Sequence, residues 1–251
     1  MKVYFSKESE ELVYISSEPS PEYWDELWES DHASLKKLYK DNTYVSKITN
    51  KYLPKNSTIL EGGCGRANHV FALKQNGYKA IGIDFAPNIV NFVNKFAPDL
   101  DVRIGDVRKL KVETNSVDAY WSLGVIEHFF DGYTEIADEM TRVLRSKGFL
   151  FLTFPAMNSL RRLKVNLSMY DNYNNEQDFY QYALNPNLVI KDFQDRGFEV
   201  ILFKRNNGFK GLKDESSIVF KGLLQKIYNS NLFFNKLIRV IIDKSLAFFC
   251  G

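Results

Sequence analysis

Between Ser57 and Arg205, short apolar runs take turns with segments whose apolar residues recur at helical spacing. The runs "STILEG", "KAIGIDF", "LDVRIGD", "VDAYWSLG", "FLFLTFP" and "FEVILFKR" read as strands. Between them lie "HVFALKQNGY", a helix ended by Gly77, and "PNIVNFVNKFA", with Pro87 suited to a first turn. "YTEIADEMTRVLRSKG" reads as a helix closed by Lys147 and Gly148, and "NLVIKDFQDRG" as the last helix of the series. Strands and helices taking turns at this spacing predict an α/β fold, a doubly wound, mainly parallel sheet with helices on both faces.

The flanks differ. Residues 1–50 are polar and aromatic, with a helical look in "PEYWDELWESD" and "ASLKKLYKD", and predict a helical cap. Residues 57–155 form the expected core, 156–186 an insertion, 187–205 a last helix and strand, and 206–251 a helical tail. At 251 residues and 45% hydrophobic, the chain is expected to build one domain around one core.

Charge adds little, since a net +2 gives no reason to expect a nucleic acid partner. Cys64 and Cys250 are too few for a disulfide framework or a zinc site, which fits a reducing, cytoplasmic setting. "MKVYFSKESEELVY" carries charges where a signal peptide needs an apolar core, and no apolar run is long enough to span a membrane.

Candidate chemistry begins at "ILEGGCGRANHV", where Gly62, Gly63 and Gly65 separate the first strand from the first helix of the core. Such a cluster lets the backbone turn sharply or approach a ligand, and lets N–H groups face it at the amino end of the next helix. In a doubly wound sheet the position after the first strand lies at the ligand crevice. A dinucleotide fingerprint, G-x-G-x-x-G, fails at its third glycine, because Asn68 stands there; a P-loop signature is absent.

The stretch Glu61–Ala67, an acid followed by G-C-G, resembles the first motif of class I S-adenosylmethionine-dependent methyltransferases. Ala67 stands where the family usually has glycine, a small change in side-chain size. Asp84 ends the second strand 19 residues after Gly65, and Asp106 follows the third. "VDAYWSLGVIEHF" and "VLRSKGFLFLTFP" match the family's fourth-strand and fifth-strand segments, so the resemblance covers roughly residues 57–155. It is nearest to the type 11, ubiquinone-biosynthesis-like small-molecule methyltransferases and to glycan methyltransferases that carry "EH" after strand four.

That resemblance implies S-adenosyl-L-methionine as cofactor, S-adenosyl-L-homocysteine as product, and a methyl acceptor that is a small molecule or a glycan. It assigns cofactor contacts to Glu61, Gly62, Gly63, Gly65, Asp84, Phe85, Asp106, Val107 and Leu123. Asp84 would take both ribose hydroxyls, a use that suits nicotinamide cofactors equally, and Asp106 the adenine amino group. Acceptor contacts fall to Glu127, His128, Phe154, Tyr170 and Tyr173, with His128 as a catalytic base where the acceptor must lose a proton.

Plainer readings stand beside these. Asp84 and Asp106 could be helix N-caps, Glu127 and His128 could only stabilise a loop, and Cys64 could be a small buried filler. Trp24 and Trp28 share a helical face suited to core packing, although relatives cover the cofactor with this segment, which makes Tyr23 and Trp24 lid candidates. His32 and His69 carry no assigned role. Two other functions share parts of the pattern: an NAD-dependent oxidoreductase, and a non-catalytic scaffold of the same fold.

Specificity in this fold comes from insertions. Residues 156–186 carry Arg161, Arg162 and Lys164, then Tyr170, Tyr173, Tyr180 and Tyr182, suited to an anionic sugar, an aromatic acceptor, or a packed helical cap. The tail from Ile218 to Gly251 sets five basic residues against Asp243 alone. It reads as peripheral membrane contact, a partner surface, or a helical pair on the sheet edge, with the family's seventh strand missing.

Overall fold

The computed structural model describes residues 2–16, 19–29, 39–173, 179–216, 218–230 and 232–250. In chain order its elements begin with β1 (Lys2–Ser6), β2 (Glu11–Ile15), α1 (Pro21–Glu29), α2 (Tyr44–Tyr52) and β3 (Thr58–Gly62). There follow α3 (Asn68–Gln75), β4 (Lys79–Asp84), α4 (Pro87–Phe96), β5 (Asp101–Ile104), β6 (Val117–Leu123), α5 (Thr134–Val143) and β7 (Leu144–Thr153). The rest are α6 (Ser159–Asn166), β8 (Asp171–Asn172), β9 (Phe179–Ala183), α7 (Pro186–Asp195), α8 (Gly208–Asp214), α9 (Ile218–Asn229) and α10 (Phe233–Cys250). They divide between two compact units, one of Ile15–Pro155 with Gln177–Gln181, the other of Met1–Tyr14, Ala156–Glu176 and Tyr182–Gly251.

The first unit is built on a five-stranded sheet of order β5-β4-β3-β6-β7, in which every pair is parallel. Its central strands are covered on both faces, which is why they read as continuous apolar runs rather than alternating ones. Ile59 and Leu60 of β3, and Ala119 and Tyr120 of β6, are fully buried. Trp121 stacks on Phe151 at 4.2 Å, and its Nε1 donates to Thr49 Oγ1 of α2 at 3.1 Å. The burial of an indole N–H is thereby compensated, and α2 is fastened to the sheet.

The chain runs outward from β3 to β4 and β5, then crosses back to β6 and β7. The sense of winding therefore reverses between β3 and β6, where Gly62 stands opposite Ser122. Loops at the carboxyl ends of these two strands open at the reversal point, where ligands bind in such sheets.

Helix α4 shows how the N-terminal segment is tied to this edge. It opens with Pro87, as its sequence predicts, but its N-cap, Ala86, has no side-chain acceptor. The missing acceptor comes from Asp25 of α1, whose carboxylate takes the N–H of Asn88 at 3.3 Å and of Ile89 at 3.0 Å. An N-cap contact of this type is worth about 1 kcal/mol, and here it fixes α1 over the loop after β4.

Several expectations change. The helix predicted through Gly148 ends at Val143, and Lys147 and Gly148 lie within β7 instead of closing it. Lys147 takes a φ of +64° beside a register shift in the β6–β7 ladder, so the pair marks a bulge. The segment 198–205 forms no strand; it finds no ladder, and Val200, Ile201, Leu202 and Phe203 stay exposed. The first fifteen residues, expected to be part of a helical cap, hold strands β1 and β2. These belong to a second sheet of order β8-β1-β2-β9. The predicted helix in "ASLKKLYKD" and His32 lie outside the described residues, as does the Trp28 side chain. The tail is helical, but the pair expected on the sheet edge packs on helices instead, α10 against α8 and α6 within the second unit.

Candidate functional site

The loop after β3 is drawn onto the end of β4. The N–H groups of Gly63 and Cys64 both donate to the Ile83 carbonyl, at 2.8 and 3.1 Å, and that of Gly65 donates to Asp84 Oδ2 at 2.7 Å. The loop can follow this path because Gly63, at a φ of +71°, has no side chain; a Cβ there would meet Val125 Cγ2 at 2.5 Å. Ala67 takes a φ of +56° with no Cβ exemption, so at that position the backbone, not side-chain size, is what glycine would serve.

These contacts revise one expectation. The amides of the loop were expected to face a ligand, but those of Gly63, Cys64 and Gly65 point into the protein. The Ala67 amide donates to Cys64 O at 2.9 Å, and Val70, in the first turn of α3, gives its amide to the Glu61 carboxyl. What the loop presents instead is carboxylic acid.

Three acids gather here: Glu61, Asp84 and Asp25, all buried. Burial and the neighbouring Asp84 push the Glu61 carboxyl up to about 8, against the weaker opposing pull of the Val70 amide. Glu61 Oε2 has no hydrogen-bond partner. Asp84 is likewise raised by burial, partly offset by the Ala86 and Gly65 amides, and raised again by Asp25. Its two oxygens hold those amides at 3.0 and 2.7 Å, yet a carboxylate offers about four acceptor positions, so capacity for further donors remains. Ser122 Oγ and Tyr120 Oη, at the reversal point, are buried without partners as well.

The remaining predicted cofactor residues lie around the same carboxyl ends. Phe85 follows β4, Val107 follows β5 and Leu123 ends β6. Asp106 is more open, and Arg108 grips it through Nη2 at 2.7 Å and through its backbone N–H at 2.9 Å. Burial opposes ionisation of Asp106, but the Arg108 contacts outweigh it and hold the carboxyl below its usual value. No helix starts there, so this acid closes a turn and is not a helix N-cap.

On the acceptor side, Glu127 and His128 form a single 3-10 turn after β6, and Phe154 follows β7. His128 Nδ1 lies 2.9 Å from the Tyr180 carbonyl. A carbonyl only accepts, so Nδ1 carries the proton and Nε2 keeps a lone pair. Burial lowers the imidazole's affinity for a second proton, against the Tyr180 contact. Trp24 and Tyr180 each pack edge-on to the ring at 5.0 Å, and Tyr23 packs on both of them. Of the lid candidates, Trp24 thus meets the base candidate, and Tyr23 packs on Trp24 and Tyr180.

Tyr170 and Tyr173 belong to the other compact unit. There the Tyr170 hydroxyl donates to Glu215 Oε2 at 2.5 Å, in an ion cluster where Glu215 also pairs with Arg161 at 2.9 Å and Lys164 at 2.7 Å. His69 is held neutral by burial, its second protonation pushed down to about 4. Sequence reasoning missed Asp25, Tyr120 and Ser122. Asp25 looked like any acid on a helix surface, and the other two read only as strand residues.

The family description "Methyltransferase domain" matches residues 60–152 of this chain. A Mycolicibacterium smegmatis protein described as "Probable S-adenosylmethionine-dependent methyltransferase" is 31% identical over 97 residues, covering 39% of this chain and 37% of that protein. The chain therefore matches little more than a third of this curated relative's length. Among solved structures, an S-adenosylmethionine-dependent methyltransferase from Methanosarcina mazei superposes with a TM-score of 0.52 at 17% identity, covering 64% of this chain and 88% of that one. A chain from the complex between the Haloferax volcanii Trm112 methyltransferase activator and a methyltransferase gives 0.51 at 21% identity, covering 71% and 77%. At these identities the structures speak for the fold.

The buried acid gives a pH test. Glu61 titrates near 8 in the folded chain and from a value of 4.5 when unfolded, so the folded state holds the extra proton between them. Its contribution to stability is complete below the lower value and is lost as pH rises through the higher one. Above 6.5, the unfolded value of histidine, and below the cysteine range near 9.0, Glu61 titrates with little interference. Thermal unfolding should therefore show stability falling between pH 6.5 and 8, and Glu61→Gln should flatten that slope. An unaltered slope in the variant would remove Glu61 as its source.

Proposed function

Since this chain carries a class I S-adenosylmethionine-dependent methyltransferase domain, we propose that it binds S-adenosyl-L-methionine over the loop after β3 and methylates an oxygen or nitrogen of a small molecule or glycan. One observation carries the choice of cofactor: acids gather at the loop, while the amides of Gly63, Cys64 and Gly65 are engaged within the protein. A dinucleotide needs those amides for its pyrophosphate. A cofactor with a sulfonium and an ammonium group has the complementary sign.

The residues fit that group. Asp84 keeps acceptor capacity for ribose hydroxyls, Glu61 Oε2 offers a buried acid to a cation, and Gly63 clears the approach. When bound, the cofactor supplies a methyl carbon made electrophilic by sulfonium. The chain's work is then to hold an acceptor in line and exclude water, which is catalysis by position. Glu127, His128 and Phe154 stand at the strand ends suited to that task.

His128 enters where the acceptor is a hydroxyl. Neutral, with Nδ1 fixed by Tyr180, it presents Nε2 as a proton acceptor. For such an acceptor, His128→Ala should lower kcat roughly 10²–10⁴-fold, while cofactor affinity hardly changes. The wild-type rate should fall only at acidic pH, below the ordinary histidine value of 6.5, and the variant should lose that acid limb. Superimposable pH profiles would make His128 a packing residue.

The cofactor choice is tested by calorimetry with S-adenosylhomocysteine and with NAD. Only the first should bind, and Asp84→Ala should weaken it by about 1.5–3 kcal/mol, the worth of a hydrogen bond to a charged group. Preferential NAD binding would favour the oxidoreductase reading, and no binding of either would favour a scaffold.

A further inference from the structure

The second compact unit ends in two helices that leave a run of large apolar residues exposed. On α10, Phe233, Leu237, Val240, Ile241 and Lys244 follow the helical repeat along one stripe, with Phe234 at its margin. This stripe is the exposed one; its apolar members run from 44% exposed at Leu237 to 82% at Phe233. Two of its charged groups, Asp243 and Arg239, are held by other parts of the unit. Asp243 Oδ1 accepts the Phe209 N–H at 2.8 Å, while Arg239 donates to the carbonyls of Tyr228 and Ser230 at 2.5 and 3.2 Å. On α9, Phe220, Leu223 and Tyr228 are exposed too, whereas Leu224 is buried. A helix at a water surface normally shows the opposite arrangement.

Charge decides what suits this face. Residues 218–251 carry Lys221, Lys226, Lys236, Arg239 and Lys244 against Asp243, a net +4. The whole chain is +2, so the remainder is −2 and the positive charge is concentrated here. Two copies apposed through this face would bring like charges together. No described helix is long and apolar enough to cross a membrane, and α10 carries Lys236, Arg239, Asp243 and Lys244 along its length. A helix with bulky apolar residues on the outer stripe and lysines at its margins is built to lie in the plane of a bilayer interface.

We propose that the outward face of α9 and α10 docks on an anionic lipid surface, the aromatic and aliphatic residues entering the interface and the lysines meeting the headgroups. The test is sedimentation of the full chain with phosphatidylcholine vesicles, with and without phosphatidylserine. The chain should sediment with the anionic vesicles and be released by salt, since screening shortens the reach of each charge. Lys236→Glu and Lys244→Glu should each lower partitioning at least roughly fivefold, the effect of losing one basic charge near such a surface. Phe233→Ser with Phe234→Ser should abolish binding at any salt concentration. All four positions are exposed, and unchanged circular dichroism and S-adenosylhomocysteine affinity would show the variants folded. Absence of binding at low salt would overturn the proposal, as would equal binding to both vesicle types. A dimer in sedimentation velocity that Phe233→Ser with Phe234→Ser dissociates would assign the face to a second copy and overturn it as well.

Discussion

The loop after β3 has one fastening on which the rest of the site depends, the 2.7 Å contact from the Gly65 amide to Asp84. With the paired amides of Gly63 and Cys64 on the Ile83 carbonyl, it binds the loop to the end of the neighbouring strand. Two consequences follow from the same geometry. The loop turns its donors inward, and it draws Asp84 into the interior beside Glu61. Chemistry at this crevice is therefore governed by buried acid rather than by backbone N–H. Burial and Asp84 push the Glu61 carboxyl up to about 8, so in the ligand-free chain it is largely protonated at neutral pH.

The N-terminal helix is drawn into the same arrangement. Asp25 supplies the amino end of α4 with its missing acceptor and adds a third acid beside Asp84. Trp24 on the same helix packs against His128, whose tautomer is set by the Tyr180 carbonyl. A short stretch of α1 thus reaches both the amino end of α4 and the base candidate. In physical terms it is a strut, positioned by a cap at one side and an aromatic contact at the other.

Much of this frame is legible in the sequence. The central strands of the parallel sheet stand out because burial on both faces leaves continuous apolar runs. The glycines and Asp84 stand out by spacing. What escapes is what depends on partners. That the loop amides turn inward rests on the position of Ile83 O, which no local pattern encodes. Lys147 and Gly148 look like a helix end, and only the β6–β7 ladder shows that they form a bulge. The apolar run in 198–205 is a sound strand pattern that finds no ladder to join. β1, β2, β8 and β9 are short and polar in places, and β8 and β9 join β1 and β2 across long separations.

The central claim is that a buried, protonated acid awaits a cationic cofactor. It is tested most directly by calorimetry of S-adenosylmethionine binding near neutral pH, in two buffers of different ionisation enthalpy. If Glu61 ionises as the cofactor binds, the observed heat will differ between buffers by an amount corresponding to released protons, and Glu61→Gln will bind with the same heat in both. Tight binding with no buffer dependence in the wild type, or undiminished proton release in Glu61→Gln, would contradict the account.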